Sequence, residues 1–118
     1  MKRVLIVDDE PDVRFILRHI LERGGYEVDE AINGSAAIEC LSRGPNPDLL
    51  ITDLMMPVMD GNELIDRLRS DPKTAPIPIM SLTGNPESSV GADLVVTKFP
   101  GSSEVLAAVL SLIEGGRR

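Results

Sequence analysis

Apolar positions along the chain follow two alternating rhythms. Short runs rich in branched residues alternate with stretches of helical spacing. RVLIV (3–7) is an unbroken apolar run, as expected of a strand covered on both faces. PDVRFILRHILERGG follows with Val13, Ile16, Leu17, Ile20 and Leu21 at helical spacing. Pro11 suits its first turn, and Gly24-Gly25 suits its stop. YEVDEA (26–31) alternates as an edge strand does, and a short helix over about 35–43 carries Ala36, Ala37, Ile38 and Leu41. DLLITD (48–53) reads as a third strand, and NELIDRLRS (62–70) as a helix with Leu64, Ile65 and Leu68 on one side. After the proline-rich DPKTAPIP come a fourth strand over about 77–82 and a fifth over 93–97. SSEVLAAVLSLIEGG closes the chain as a helix, with Ser102 or Ser103 as cap and Gly115-Gly116 as stop.

Regular β-α alternation predicts an α/β fold: a doubly wound, five-stranded parallel sheet with helices on both faces. Its working crevice is expected at the carboxyl ends of the strands, where the strand order reverses. One connection breaks the pattern. Only about ten residues, TGNPESSVGA (83–92), join the fourth strand to the fifth, where a parallel crossover normally needs a dozen or more. The fourth crossover helix is therefore expected to be reduced or replaced by a loop.

Composition narrows the picture modestly. A chain of 118 residues, 42% of them hydrophobic, suits one domain over 1–118 with a real core and excludes disorder. Twelve Lys and Arg against 19 Asp and Glu give a formal charge of −7. No basic stretch occurs beyond Arg117-Arg118, which argues against direct nucleic-acid binding. The single Cys40 allows no internal disulfide, fits a reducing compartment, and reads as a small apolar helix residue. MKRVLIVDDE has too short an apolar run for a signal peptide or a membrane insertion, so a cytoplasmic protein is expected.

The chemistry gathers at strand ends. Asp8-Asp9-Glu10 follows the first strand, Asp53 ends the third, Thr83 follows the fourth and Lys98 the fifth. In a sheet of order 2-1-3-4-5 the first and third strands are neighbours, which brings Asp8, Asp9 and Asp53 together. Like charges so placed raise one another's pKa values unless a cation offsets them. Mg2+ suits oxygen donors, uses few carboxylates and keeps waters, leaving room for a phosphoryl group. Asp53 then becomes a candidate nucleophile forming an aspartyl phosphate, with Lys98 and Thr83 as partners for phosphoryl oxygens. Taken singly, each residue has a plainer reading. Asp9 or Glu10 could cap the helix that follows, Asp53 the loop after it, Thr83-Gly84 could mark a turn, and Lys98 could be solvated.

These stretches, from VLIVDDEPDVR through DLLITDLMMPVMDG and PIPIMSLTG to GADLVVTK, resemble a response-regulator receiver domain with a chemotaxis-regulator-like, flavodoxin-like fold. The resemblance covers nearly the whole chain, and the Asp, Met-Pro, Asp-Gly block is its most specific part. It implies a phosphoacceptor signalling domain of a two-component phosphorelay that promotes its own phosphorylation and dephosphorylation. Asp53 would be the phosphoacceptor, and Asp8 and Asp9 part of the acidic pocket. Asp9 and Asp53, with the backbone carbonyl of Met55, would ligate Mg2+. Thr83 would be the switch hydroxyl and Lys98 the phosphate-pairing lysine. The implied partners are a sensor histidine kinase or histidine phosphotransfer protein upstream and a protein target downstream.

Three features depart from that family. Lys98-Phe99-Pro100 replaces the usual Lys-Pro-Phe, so no cis bond can directly follow the lysine. Val95 stands where a rotating aromatic is usual, and the fourth crossover is short. Met55 and Asn85 occupy positions that tune dephosphorylation in the family, and His19 beside Arg18 reads as a surface residue rather than a phosphodonor. A haloacid-dehalogenase-like phosphatase would need Asp-x-Asp after the first strand, which Asp8-Asp9-Glu10 does not supply. A flavin binder would need a phosphate-cradling loop there, and the aromatic set is only Phe15, Tyr26 and Phe99. The remaining alternative is a phosphorylation-independent, receiver-like interaction module. A stand-alone regulator is the simplest expectation for a chain running from Met1 to Arg118, with an excised receiver as the other reading.

Overall fold

Each residue of a strand points to the face opposite its neighbour's, so a strand with helices on both sides must be apolar throughout. In the computed structural model the backbone is described at 2–53, 61–83, 92–97 and 102–115, with side chains at all of these except 83, 94–97, 102–105 and 115. The order is β1 (Arg3–Val7), α1 (Pro11–Arg23), β2 (Glu27–Ala31), α2 (Gly34–Ser42), β3 (Leu49–Asp53), α3 (Gly61–Ser70), β4 (Ile79–Thr83), β5 (Leu94–Thr97) and α4 (Ser102–Gly115).

The strands form one parallel sheet in the order β2-β1-β3-β4-β5. This is the parallel α/β sheet expected from the alternation, in the flavodoxin-like order that the family resemblance implies, with β2 at an edge. The shortened fourth crossover falls at 84–91, outside the described residues.

Two apolar layers flank the sheet. Val4 and Ile6 of β1 join Leu49 and Ile51 of β3 in the layer packed by Val13, Leu17 and Leu21 of α1 and Val109 of α4. Leu5, Val7 and Leu50 point the other way, toward Ala37 and Leu41 of α2 and Leu64, Ile65 and Leu68 of α3. Ile16, although on the helical spacing of α1, is about half exposed, and Cys40 is exposed on α2 rather than packed.

Local chemistry shifts several boundaries by a residue or two. Asn33 caps α2, its Oδ1 accepting from the N–H of Ala36 at 2.8 Å, so the helix begins at Gly34. Asp48 stands before β3, its Oδ2 accepting the N–H of Arg3 at 2.8 Å. The strand expected over 77–82 begins only at Ile79 and runs through Thr83. Pro78 has no N–H to give, and the N–H of Ile77 turns back to the carbonyl of Thr74 at 3.0 Å. Ile77 is instead a buried plug beneath the sheet. Gly24 and Gly25 do end α1, and Gly25 has φ of 92°, a left-handed turn that a side chain resists. The N-cap of α4 lies outside the described residues.

The lower edge of the sheet is tied by one arginine. Arg69 Nη1 donates to the carbonyls of Ala75 and Ile77 at 2.8 and 2.7 Å, and its Nη2 donates to Asp93 Oδ2 at 2.8 Å. The same Asp93 oxygen accepts the N–H of Ile79 at 2.8 Å. α3 thereby fixes both the entry to β4 and the residue before β5. None of the described helices is long and apolar enough to cross a membrane.

Candidate functional site

The pairing of β1 with β3 sets Val7 level with Thr52. The next residue on each strand is an aspartate, so Asp8 and Asp53 meet at the carboxyl edge of the sheet. Both are buried, at 1% and 2% exposure. The backbone explains why Asp8 stays there. Its N–H donates to the carbonyl of Ala31 at 3.1 Å, its carbonyl accepts Arg14 Nη1 at 2.7 Å, and its Oδ1 accepts the N–H of Glu10 at 2.9 Å. Asp53 ends β3 level with Leu82 of β4, and its carbonyl accepts the hydroxyl of buried Thr52 at 2.8 Å.

Asp9 and Glu10 complete the cluster from the β1–α1 turn. One carboxylate oxygen from each of Asp8, Asp9, Glu10 and Asp53 lies within 4.8 Å of the other three. Asp9 and Glu10 are exposed, so the group is walled on the Asp8 and Asp53 side and open on the other. The capping role open to Glu10 is only positional. It sits at the N-cap of α1 but makes no side-chain cap hydrogen bond, and Pro11 follows at the first turn. Glu10 is also the member of this group not expected among the ligands, although the Asp8-Asp9-Glu10 run carried the signal.

Unit charges 4 Å apart near a protein surface repel by about 4 kcal/mol. A cation among these four carboxylates would offset that repulsion. The donor set is all oxygen and all anionic, with no imidazole or thiolate, which suits a hard divalent cation over a softer transition metal. Two buried donors on rigid strand ends and an open side fit an ion that keeps several waters. Among the described residues no second group of three or more His, Cys, Asp or Glu side chains converges in this way. His19 is exposed on α1 and stands apart from the cluster.

The other expected site residues divide as follows. Thr83 closes β4, one residue past the partner of Asp53, and its backbone pairs with Thr97 at the end of β5. Met55, Asn85 and Lys98 lie outside the described residues, as does the Phe99–Pro100 bond.

Comparison with known proteins bears on this arrangement. The family described as response regulator receiver domain matches residues 4–110. The chain is 45% identical over 93 residues to the sensor histidine kinase TmoS of Ectopseudomonas mendocina, covering 79% of this chain and 9% of that protein. It is 38% identical over 120 residues to the DNA-binding dual master transcriptional regulator RpaA of Synechocystis, covering 96% of this chain and 49% of that one. The chain thus spans about half or less of the length of these curated relatives. Among solved structures, the signal receiver domain of a signal transduction histidine kinase from Syntrophus aciditrophicus is 35% identical. It superposes with a TM-score of 0.91 over 100% of this chain and 94% of that one. A response regulator protein of Thermotoga maritima in complex with Mg2+ and BeF is 37% identical, with a TM-score of 0.85 over 95% and 99% of the two chains.

Proposed function

The chain belongs to the response regulator receiver domain family, and from that premise we propose that it is a phosphorylation-driven switch whose acceptor is Asp53. The observation that carries the reading is the convergence of Asp8, Asp9, Glu10 and Asp53 at the carboxyl edge of the sheet. A signalling domain over 1–118 with this site would take its phosphoryl group from a histidine of a sensor kinase or phosphotransfer protein. A carboxylate oxygen of Asp53 attacks phosphorus, the P–N bond of the donor breaks, and its electron pair returns to the imidazole. The product is an acyl phosphate.

Asp8, Asp9 and Asp53, with the carbonyl of Met55, would hold Mg2+, which when bound neutralises charge on the carboxylates and the phosphoryl oxygens. The protein's own contribution is positioning. β3 holds the Asp53 backbone rigidly, with its side chain shielded on the sheet side, so that a donor approaches from the open side. Lys98 would pair with one phosphoryl oxygen, and the Thr83 hydroxyl would donate to another. That new contact would pull the end of β4 toward Asp53 and shift the connection at 84–91 into its signalling population, read by a protein target. The known likeness to a Mg2+ and BeF complex supports the ion and the phosphoryl geometry together. A cytoplasmic location and no direct nucleic-acid contact belong to the same proposal.

The test is intact mass after incubation with acetyl phosphate and Mg2+, beside Asp53→Asn. One phosphoryl adduct that needs Mg2+, is absent from the variant and is cleaved by hydroxylamine supports the reading. If neither acetyl phosphate nor beryllofluoride with Mg2+ engages the folded protein, the reading fails in favour of a phosphorylation-independent interaction module.

A further inference from the structure

The backbone of Asp8 is gripped from outside the carboxylate cluster, and only the Arg14 contact falls on the peptide that joins it to Asp9. On one side the N–H of Asp8 donates to Ala31 at the end of β2, and on the other its carbonyl accepts Arg14 Nη1 at 2.7 Å. The Nε of Arg14 donates to Glu30 Oε1 at 3.0 Å. Glu30 is held in turn, its Oε2 lying 2.7 Å from Arg18 Nε, while Arg18 Nη2 donates to the carbonyl of Val28 at 2.8 Å. The Arg14 side chain is only 14% exposed.

A planar guanidinium held at two of its edges has one orientation. A charged donor on the Asp8 carbonyl fixes the plane of the peptide that follows, because that unit is rigid. The plane of that peptide sets the direction in which Asp9 leaves the strand. Without such a hold, repulsion from Asp8 and Asp53 would drive the exposed Asp9 carboxylate outward.

We propose that Arg14, oriented by Glu30, is a positioning residue for the metal site. It holds the Asp8–Asp9 peptide so that both carboxylates converge, and its charge offsets part of their repulsion before a cation arrives. This rests on the reading of the cluster as a Mg2+ site. Arg14 touches neither the ion nor the phosphoryl group; it acts through the Asp8 carbonyl.

An arginine that merely fastened α1 to β2 would alter stability alone, so the test reads the site itself. Arg14→Met, which keeps the apolar stem, Glu30→Gln and Arg14→Lys are compared with the parent chain by calorimetric titration with MgCl2. Urea unfolding and the carbonyl 13C shift of Asp8 are measured on the metal-free proteins. Removing an outer partner of a metal ligand typically costs 10- to 100-fold in affinity, and Arg14→Met is expected to weaken Mg2+ binding by about tenfold. The Asp8 carbonyl resonance should move to lower frequency as its charged donor is lost. Glu30→Gln should change both in the same direction by less, and Arg14→Lys should recover part of the affinity. Binding by Arg14→Met within about twofold of the parent would overturn the proposal, since it falls well short of that 10-fold range. If Arg14→Met does not fold, Glu30→Gln decides alone: unchanged Mg2+ affinity and an unmoved Asp8 resonance overturn it. A parent chain that binds no Mg2+ overturns the metal site first, and this inference with it.

Discussion

Asp53 is both buried and crowded by other acids. Its side chain is almost fully enclosed, and one of its carboxylate oxygens lies within 4.8 Å of an oxygen from each of three other acids. Removing its charge should relieve the repulsion. Asp53→Asn is expected to raise the metal-free protein's resistance to urea by about 1 kcal/mol, a fraction of the roughly 4 kcal/mol that unit charges exchange at 4 Å near a surface. In saturating Mg2+ the order should reverse, because the parent gains a bound ion that the variant holds poorly. A variant less stable than the parent in metal-free buffer would show that the cluster is already relieved from within. Asp8 and Asp53 were legible because each follows an apolar run whose period places it at a strand end. The share taken by Glu10 was visible only as one more acid in a row, since nothing in a one-dimensional pattern separates a helix cap from a ligand.

At the scale of elements, the sheet was legible because burial on both faces leaves continuous apolar runs at positions 3–7 and 49–51. The α1 period likewise separates buried Val13, Leu17 and Leu21 from exposed Phe15. The braces between elements were not legible. Arg69 reaches the carbonyls of Ala75 and Ile77 and the carboxylate of Asp93, 24 residues away, and no local period marks such a contact. Lys73 is similar, its Nζ donating to the carbonyl of Leu41 at 2.9 Å across the gap between the ends of α2 and α3. Hydrogen bonds to charged groups contribute about 1.5–3 kcal/mol each, so Arg69→Met should lower stability to urea by about 2 kcal/mol or more. A loss below about 0.5 kcal/mol, the usual scatter for surface substitutions, would show that the brace is ornamental. Gly25→Ala isolates a backbone effect, because φ is 92° and nothing lies within 4 Å of the added methyl. Its cost should be about 1 kcal/mol from the left-handed conformation alone, read from the same unfolding curves.

For the whole molecule, a formal charge of −7 and a cluster of acids on one edge make the folded state responsive to cations. Non-specific screening and site binding are separable. Na+ at matched ionic strength should raise Tm slightly, whereas Mg2+ should raise it along a saturating curve. By mass action, ligand at 100 times Kd adds about 2.7 kcal/mol to stability. Asp9→Asn should flatten the Mg2+ curve while leaving the Na+ response in place. Equal responses of the parent to the two salts would argue that the cluster holds no ion.

The proposed switch requires that Asp53 itself become the acyl phosphate. It is tested most directly by reducing the acetyl phosphate-treated, Mg2+-loaded protein with borohydride and sequencing its peptides by mass. An aspartyl phosphate is reduced to homoserine, whereas a free aspartate is untouched. Homoserine is expected at position 53, with aspartate retained at 8, 9 and 60. Homoserine at another position, or aspartate at 53 in protein shown to carry the phosphoryl mass, would contradict it.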